Sequence, residues 1–381
     1  MQQSLIIISI LLYSLYALLL IYYRHAWNAL PKLLSPTSNL QPKTRISVII
    51  PARNEENNIT SCLQSVCGQS YPNELYEVLV VDDHSSDNTA ERVTRFAGQN
   101  VKLIHLKEFV ADTTLNAYKK KAIEIAIAQS SGELIITTDA DCIVPATWLQ
   151  TIAGFYEENY PVFIVMPVCY DYKNNFIELF QALDFLTLQG ITGASVHKNI
   201  HSMCNGANLA YTKKAFYEAG GFTGIDNIAS GDDMLLMHKI YRLYPDRIKF
   251  LKSTGLTVHT QPMHTTRDFF AQRIRWASKA DQYEDKRIFA VLLLVYVINI
   301  WCAVLGIAAF FNAVYVYGLI GLLTGKTMVE LFFLYPVAKF FNQEKILWWF
   351  PLAQPFHILY TIIAGWLGKF GNYQWKGRNV K

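Results

Sequence analysis

Long apolar runs stand at both ends of the chain. Residues 5–23 are uncharged and about as many as a helix needs to cross a bilayer. No basic segment precedes this run and no small-residue cleavage site follows it, so it is predicted to be a retained membrane anchor rather than a removed signal peptide. Beyond Arg287 the chain turns apolar again. The predicted C-terminal membrane segments are Phe289–Ala308, Ala313–Leu323, Met328–Phe340 and Ile346–Leu367.

The charges that flank these runs predict an orientation. Basic residues follow the first run at Arg24, His25, Lys32, Lys43 and Arg45. By the positive-inside rule, the body of the protein is predicted to be cytoplasmic and the N-terminus to face out. The tail from Lys369 onward is also basic and is expected in the cytoplasm, which requires an even number of C-terminal spans. Four spans are therefore favoured over three, and Met328–Phe340, which contains Glu330 and Lys339, is a candidate re-entrant or interfacial helix.

Between the apolar ends, short strand-like runs alternate with helix-like runs from Arg45 to about Tyr170. Strands are predicted at Ile46–Ile50, Val78–Val81, Val101–His105 and Leu134–Thr138. Helices are predicted at Ile59–Cys67, Asn88–Phe96 and Lys119–Ser130, and Asn88 and Glu91 have the spacing of a capping box. This alternation predicts an α/β domain, with a parallel sheet that helices cover on both faces.

Polar residues follow these strands at the points where ligands bind such sheets, beyond the carboxyl ends. The first strand ends in residues 51–56 and the second in residues 82–89. The last strand ends in Asp139 and Asp141, whose side chains point the same way in an extended segment and can converge on one cation. Carboxylate ligands suit Mg²⁺ or Mn²⁺, which usually also bind substrate phosphates. The alternative is that the two carboxylates only cap a turn.

The composition excludes several classes of protein. The chain has 381 residues, is 52% hydrophobic and 17% charged, and is therefore too apolar for an ordinary soluble enzyme of its size. Its net charge of +4 gives no case for nucleic acid as a partner. The six cysteines lack Cys-x-x-Cys spacing, which argues against a zinc site and fits a reduced compartment. Glycine-rich phosphate loops of the dinucleotide-binding or P-loop type are absent from the sequence.

Seven segments resemble, in the same order, the signature of the family 2 glycosyltransferases. They are residues 47–56 (SVIIPARNEE), 80–89 (VVDDHSSDNT), 137–142 (TTDADC), 204–211 (CNGANLAY), 220–222 (GGF), 230–233 (SGDD) and 272–276 (QRIRW). The last segment matches the Q-x-x-R-W pattern of the membrane-integrated members. The resemblance implies an inverting enzyme of the GT-A fold, Rossmann-like with a mostly parallel sheet, that uses a nucleotide-activated sugar. The implied domains are an anchor and linker (1–44), a cytoplasmic GT-A domain (45–287) and a C-terminal transmembrane region of three or four helices with a short basic tail (288–381).

The resemblance also implies which residues bind the donor and the metal. The expected donor-binding residues are Pro51, Arg53 and Glu55 in the first loop, Asp82 and Asp83 at the uridine-like part, Lys120 near the pyrophosphate, and Asp139. For the lysine, a solvated helix start is the alternative. Asp139 and Asp141 match the Asp-x-Asp motif, so the expected cofactor is Mg²⁺ or Mn²⁺. His259 is a candidate third metal ligand or part of the acceptor channel.

The implied catalytic residues are Asp232, Asp233 and Arg275. Inverting transfer needs a general base that takes the proton of the acceptor hydroxyl, and Asp233 matches the family's base. Asp232 stands where the family more often has glutamate. The alternative for Asp233 is an N-cap of the helix that follows it. Gln272, Arg275 and Trp276 share one helix face. In the family, residues on this face contact the acceptor and the diphosphate. The alternative is that this face anchors the helix at the membrane interface.

The sequence therefore predicts an integral protein of the bacterial inner membrane with a cytoplasmic catalytic domain. It is expected to move a sugar from a UDP-sugar, or else a GDP-sugar, to a lipid-linked or polysaccharide acceptor. The alternative is a catalytically inactive relative that serves as a structural partner in a membrane polysaccharide-assembly complex. A multi-span transporter is disfavoured because roughly 240 contiguous residues have the pattern of one soluble α/β domain.

Overall fold

The computed structural model of the protein describes residues 2–33, 42–110, 116–173, 175–200, 203–279, 285–370, 373–375 and 378–380. The chain divides into two compact units. The sheet unit comprises Pro31–Asp171, His201–Gln261 and Val380–Lys381, and the helical unit comprises Met1–Leu30, Tyr172–Ile200 and Pro262–Asn379. Residues 172–200 and 262–279 thus pack with the long apolar helices, although the sequence assigned them to the catalytic domain.

The described strands form one mostly parallel seven-stranded sheet and two two-stranded pairs. The strands are β1 (Ile46–Ala52), β2 (Tyr76–Asp82), β3 (Val101–His105), β4 (Leu134–Thr137), β5 (Phe163–Val165), β6 (Val168–Tyr170), β7 (Leu209–Thr212), β8 (Ile248–Phe250), β9 (Val258–Thr260), and, near the C-terminus, β10 (Tyr373–Trp375) and β11 (Arg378–Val380). The main sheet has the order β3-β2-β1-β4-β7-β5-β8, while β6 pairs with β9 and β10 with β11. Strands β1 to β4 pair in parallel, and β7 is antiparallel to both β4 and β5. The predicted α/β sheet is confirmed.

Helices of both units complete the fold. They are α1 (Gln2–Ala29), α2 (Ile59–Cys67), α3 (Thr89–Thr94), α4 (Tyr118–Gln129), α5 (Trp148–Asn159), α6 (Phe176–His197), α7 (Lys213–Glu218), α8 (Met234–Leu243), α9 (Thr266–Ala277), α10 (Lys286–Ala309), α11 (Val314–Phe340) and α12 (Phe350–Phe370). The predicted capping box at the start of α3 is wrong, because the Asn88 side chain makes no cap hydrogen bond. Its Nδ2 donates instead to Glu56 Oε2 at 3.1 Å. The side chain therefore ties α3 to the loop after β1.

The central strands form the core of the sheet unit because their residues are apolar on both faces. Val48, Ile49 and Ile50 of β1 are fully buried, as are Ile135 and Ile136 of β4. Continuous apolar runs of this kind are typical of parallel strands that are covered on both sides. Each such side chain contributes about 1.5–3 kcal/mol when it is buried. The rigid sheet then holds the loops at its carboxyl edge.

Four stretches of the described chain are long and apolar enough to cross a membrane: Gln3–Ala29, Lys286–Ala309, Val314–Phe340 and Glu344–Phe370. The last combines a short 3-10 helix with α12. The predicted segments Ala313–Leu323 and Met328–Phe340 are not separate, because both belong to the single helix α11. Among the described residues, the C-terminal region therefore has three long helices, not the four that the sequence favoured.

Helix α11 continues through its polar residues because they bind one another inside the helical unit. Lys326 Nζ lies 2.7 Å from Glu330 Oε1 and 2.8 Å from Gln354 Oε1 of α12. The Tyr16 hydroxyl of α1 donates to Glu330 Oε1 at 2.5 Å. Lys326 is 0% and Glu330 6% exposed. Charged side chains within apolar helices usually face the bundle interior and pair in this way. The dip in hydropathy therefore marks a buried network that joins three helices.

We predict that this network is sensitive to the loss of one partner. Lys326→Met leaves the buried Glu330 carboxylate without its cation and should lower the free energy of unfolding by about 3–5 kcal/mol. The double variant Lys326→Met with Glu330→Gln keeps a neutral hydrogen-bonding group and should recover most of that loss. Melting temperatures in detergent test this, with the exposed Lys345→Met as control. A double variant that is as unstable as the single one contradicts the prediction.

Candidate active site

The parallel strands bring three of the predicted loops to one edge of the sheet. Ala52 at the end of β1 pairs with Asp82 at the end of β2, and Ile49 pairs with Thr137 at the end of β4. The register continues into the loops, since Asp83 N donates to Ala52 O at 2.8 Å and Thr138 N to Ile49 O at 3.2 Å. The polar residues after β1, β2 and β4 therefore meet at the carboxyl edge, as the sequence predicts.

Arg53 joins the loop after β1 to the loop after β2. Its Nη1 donates to Asp83 O at 2.8 Å and lies 3.8 Å from Asp83 Oδ1. Next to it, Asn54 and His84 both have left-handed backbones, with φ of 52° and 53°. Such conformations are uncommon outside glycine and concentrate at functional sites. Glu55 N donates to Thr89 Oγ1 at 2.8 Å, which fixes the first loop on the start of α3.

The carboxylates of Asp82 and Asp83 are buried beneath these loops. Asp82 is 5% and Asp83 3% exposed. Asp82 Oδ1 accepts from Ser85 N at 3.3 Å, while Asp83 Oδ1 lies 3.0 Å from His84 Nδ1. Pro51 lies in β1, paired with Val81 of β2. The predicted donor residues Pro51, Arg53, Asp82 and Asp83 are therefore close together. Arg53 and Asp82 also hold the loops in place through hydrogen bonds to main-chain atoms.

Lys119 connects the Asp-x-Asp motif to the second aspartate pair. Its Nζ lies 2.7 Å from Asp139 Oδ1 and 3.3 Å from Asp232 Oδ2. Burial alone would lower the pKa of Lys119, but the carboxylates of Asp139 and Asp232 raise it above its usual value. Carboxylates from separate parts of the chain, about 90 residues apart in sequence, thus share one cation. The sequence did not single out Lys119, and its position within Lys119–Lys121 was the only signal.

Lys120, which the sequence placed near the pyrophosphate, lies on a different side of α4. Its Nζ donates to the carbonyl oxygens of Ile225 and Ile228, at 2.6 and 2.8 Å. The side chain is 2% exposed. These contacts fix the loop that leads to the second aspartate pair. The pyrophosphate role of Lys120 stays a prediction, and Lys119 is the lysine that contacts Asp139.

Asp233 is held by two backbone N–H groups. Its Oδ2 accepts from Gly206 N at 3.1 Å and its Oδ1 from Met234 N at 2.7 Å, so it also caps α8. Gly231 directly before the pair has φ 77°, which favours glycine at this turn. Gly206 lies in the loop before β7, beside β4, and its carbonyl accepts from Thr137 Oγ1 at 3.0 Å. The N-cap role is confirmed, and it leaves the carboxylate beside the Lys119 cluster.

A metal at this site would need ligands from a bound substrate in addition to those from the protein. Within the described residues, no group of three or more His, Cys, Asp and Glu side chains is placed to hold an ion. Asp139 and Asp141 supply oxygen ligands, and Mg²⁺ is commonly held by one or two carboxylates plus phosphate oxygens. The donor set therefore fits a divalent ion that binds together with a diphosphate. The positive charge of Lys119 beside Asp139 likewise indicates that this carboxylate is stabilised by a neighbouring cation.

His259 is not brought into such a group. Its Nδ1 lies 2.7 Å from Asp171 Oδ1, and this hydrogen bond raises the pKa of His259 above its usual value. Its backbone pairs with Ile143, two residues beyond Asp141. The histidine is thus tied by its main chain to the segment after the Asp-x-Asp motif. A direct metal-ligand role for it stays a prediction.

The Q-x-x-R-W residues lie on α9, which belongs to the helical unit. The predicted helix is confirmed, and Thr265 caps it by accepting from Asp268 N at 3.1 Å. Gln272 Oε1 accepts from Arg273 Nη1 at 2.9 Å. The Trp276 ring has its centroid 6.5 Å from that of Phe185 on α6. Arg275 and Trp276 are partly exposed on this helix.

Arg273, which the sequence did not single out, is the buried anchor of this motif. Its Nη2 lies 2.7 Å from Asp184 Oδ2 of α6, and both side chains are 4% exposed. The Arg273 guanidinium also lies 4.3 Å from the Trp276 ring centroid. The Tyr360 hydroxyl of α12 donates to Asp184 Oδ1 at 2.6 Å. Arg273 therefore fixes Gln272 and Trp276 on α9.

Two curated relatives match this chain over only part of their own length. Glycosyltransferase AglE of Haloferax volcanii is 38% identical over 113 residues, which is 29% of this chain and 36% of the relative. An undecaprenyl-phosphate 4-deoxy-4-formamido-L-arabinose transferase of Serratia proteamaculans is 32% identical over 128 residues, 33% of this chain and 37% of the relative. The chain thus spans little more than a third of these two curated relatives.

A solved structure extends the likeness to nearly the whole chain. The mannosyltransferase PcManGT from Pyrobaculum calidifontis, solved in complex with GDP-Man and Mn²⁺, has a TM-score of 0.58 and 21% identity. The match covers 93% of this chain and 99% of that one, and at this identity it shows the fold.

Two family models place the chain. The model of glycosyl transferase family 2 matches residues 47–220, and that of glycosyl transferase family group 2 matches residues 134–367. The second match covers more than half of the 381 residues. The protein therefore belongs to the family 2 glycosyltransferases and has their GT-A fold.

Proposed function

We propose that the protein is a metal-dependent, inverting glycosyltransferase that moves a sugar from a nucleotide-sugar to a lipid-linked acceptor. The observation that carries this proposal is the contact of Lys119 with both Asp139 and Asp232. It brings the Asp-x-Asp motif and the second aspartate pair to one ammonium group, although they come from distant parts of the chain, and this supports a shared site. Donor binding and proton removal would then take place side by side.

The donor would bind at the carboxyl edge of β1, β2 and β4. Asp83 and the loop that carries Arg53 and Glu55 would hold the nucleoside. Asp139 and Asp141 would hold Mg²⁺ or Mn²⁺, which supplies charge neutralisation for the leaving diphosphate. Lys119 would turn from the carboxylates toward the diphosphate as the donor enters, which supplies a further positive charge. The complex of PcManGT with GDP-Man and Mn²⁺ supports this kind of site.

Asp233 would act as the general base. The acceptor hydroxyl oxygen attacks the anomeric carbon, the bond from that carbon to the diphosphate oxygen breaks, and the hydroxyl proton passes to Asp233. The two N–H groups of Gly206 and Met234 fix the direction of the carboxylate. Proton transfer needs such positioning within hydrogen-bond reach of the substrate. Asp232 would mainly hold Lys119, and the role of Arg275 stays a prediction.

The acceptor is proposed to be lipid-linked because the enzyme domain is joined to long apolar helices. The Serratia relative is named for an undecaprenyl-phosphate substrate. The basic residues that follow the first apolar run support a catalytic site at the cytoplasmic face, and the membrane is proposed to be a bacterial inner membrane. A polysaccharide acceptor is the second candidate. An inactive structural partner is disfavoured because Asp83, Asp139, Asp141 and Asp233 are all present.

We predict nucleotide release from one donor in a panel of UDP- and GDP-sugars, with Mn²⁺ or Mg²⁺ and membrane lipids present. Asp233→Asn should lower kcat by about 10²–10⁴-fold with little change in donor KM, because it removes a base that acts in the chemical step. Asp139→Asn should lower activity and also donor affinity, because it removes an expected metal ligand. Coupled nucleotide assays on purified protein measure both quantities.

Asp246→Asn is the matched control, since this carboxylate is exposed in the turn before β8. It should leave turnover unchanged. Full activity in Asp233→Asn would remove the base from the proposal. No release from any donor with wild-type protein would favour the structural-partner alternative.

The two neighbouring lysines are predicted to differ in their effects. Lys120→Met should lower the free energy of unfolding by about 1.5–3 kcal/mol, because two carbonyl groups lose a charged donor. Lys119→Met should lower kcat/KM for the donor by about 10-fold or more, because a positive charge beside the diphosphate is lost. Melting curves and donor kinetics for both variants test this. Equal donor kinetics in Lys119→Met and wild type would contradict the role of Lys119.

A further inference from the structure

The last apolar stretch, Glu344–Phe370, is long enough to cross a membrane, but its contacts place both of its ends on one side. The catalytic side is defined here as the side on which α1 ends and α10 begins. These two ends share a side because, within the described residues, no candidate span lies between Ala29 and Lys286. The contacts that establish the path of this stretch all join residues of the helical unit.

The stretch begins on the catalytic side because α11 ends there. Helices α1 and α11 run in the same direction: Tyr16 contacts Glu330, and the rings of Trp27 and Phe340 lie 5.5 Å apart. The C-terminal end of α11 thus lies beside the C-terminal end of α1. The chain that follows Phe340 therefore starts from the catalytic side.

The stretch also ends on the catalytic side. A Cβ added at Gly368 would lie 2.6 Å from Ala277 Cβ, so the last turns of α12 touch the end of α9 directly. A Cβ added at Gly365 would lie 2.6 Å from Tyr296 Cε2 in the first half of α10. Helix α9 precedes α10 and carries the exposed charges of Arg267 and Asp268. The end of α12 therefore lies next to α9 and the start of α10, and not at the α10–α11 connection on the far side.

The start of α12 lies farther from the catalytic side than its end. Gln354 Oε1 is 2.8 Å from Lys326 Nζ, in the network that also holds Glu330 and Tyr16. Lys326 precedes the end of α11 at Phe340 by fourteen residues, or about 21 Å of helix, and Gln354 precedes Gly368 by fourteen residues as well. The two estimates agree on a similar depth. The chain would enter the membrane through the short 3-10 helix Glu344–Trp349 and return to the catalytic side along α12.

We infer that residues 344–370 form a re-entrant segment that enters and leaves the membrane on the catalytic side. Among the described residues beyond Ala277, only α10 and α11 then cross the membrane. Two crossings return the chain to the catalytic side, where the basic residues from Lys369 onward satisfy the positive-inside rule. The even number that the tail requires is thus met without a fourth C-terminal helix.

The outward face of this segment fits the acyl chains of one leaflet. Leu352, Phe356, Leu359, Trp366 and Phe370 are exposed and recur at intervals of three, four or seven residues, which places them on one stripe of α12. The opposite face, with Ala353, Gln354, Ala364 and Gly368, is buried against the other helices. Lys369 at the outer end of the stripe can reach lipid headgroups. The occupant of the stripe is therefore the lipid of the catalytic-side leaflet.

Cysteine labelling tests the path of the chain. Asn312→Cys, Lys345→Cys and Lys381→Cys are each placed in the full chain, with the partly exposed Cys67 and Cys204 changed to serine. A membrane-impermeant maleimide is added to intact spheroplasts or to inverted vesicles. Asn312→Cys, between α10 and α11, should react only in spheroplasts, and the other two should react only in inverted vesicles. Reaction of Lys381→Cys together with Asn312→Cys would show that α12 crosses, and would overturn the inference.

A tag and a spin label provide readouts that do not depend on those variants. A C-terminal epitope tag on the otherwise unmodified chain should be removed by protease only in inverted vesicles, and removal in spheroplasts overturns the inference. A nitroxide at Leu359→Cys should be relaxed strongly by oxygen and weakly by a water-soluble nickel chelate, as lipid contact requires. Ala364→Cys on the buried face is the control, with low access to both. Low access to both at Leu359→Cys would assign the stripe to a second copy of the chain and overturn the lipid contact.

Discussion

The attraction between Lys119 and the surrounding carboxylates is the interaction on which the site depends. Asp139 and Asp232 approach the same ammonium group, at 2.7 and 3.3 Å, and Asp233 directly follows Asp232 in sequence. Carboxylates this close repel one another strongly unless a positive charge lies between them. The ammonium group supplies that charge in the structure described here, and the proposed divalent ion would supply it when a donor is bound. Exchange between the two cations would couple donor binding to the position of Lys119.

The sheet is what makes this convergence robust. The parallel pairing of β1, β2 and β4 brings three loops to one edge, and the antiparallel strand β7 delivers the loop of Gly206 to the same edge. Gly206 then donates to Asp233 and accepts from Thr137, which ties Asp233 to the strand of the Asp-x-Asp motif. Buried apolar strands thus position polar loops that have little regular structure of their own.

The sequence predicted the strands and their loops well because short continuous apolar runs rich in β-branched residues are compatible with few structures other than buried strands. Three details lay beyond it. Three successive lysines look alike in sequence, and only the packing of α4 shows that Lys120 is buried against carbonyl groups while Lys119 meets the carboxylates. Hydropathy alone divided α11 between Leu323 and Met328, around Lys326, although the spacing of four from Lys326 to Glu330 already allowed a buried pair. The role of Arg273 depends on Asp184, which is 89 residues away in sequence and carries no motif.

Binding of Mn²⁺, followed by the loss of its free-ion signal in electron paramagnetic resonance, tests the shared cation site most directly. The titration is made with and without UDP or GDP, on wild type, Asp139→Asn and Lys119→Met. We expect wild type to bind Mn²⁺ much more tightly with nucleotide present, and Asp139→Asn to lose this binding. Lys119→Met should bind Mn²⁺ more tightly than wild type when nucleotide is absent, because the competing ammonium is gone. Unchanged Mn²⁺ binding in both variants would show that the cluster around Lys119 is not the metal and donor site.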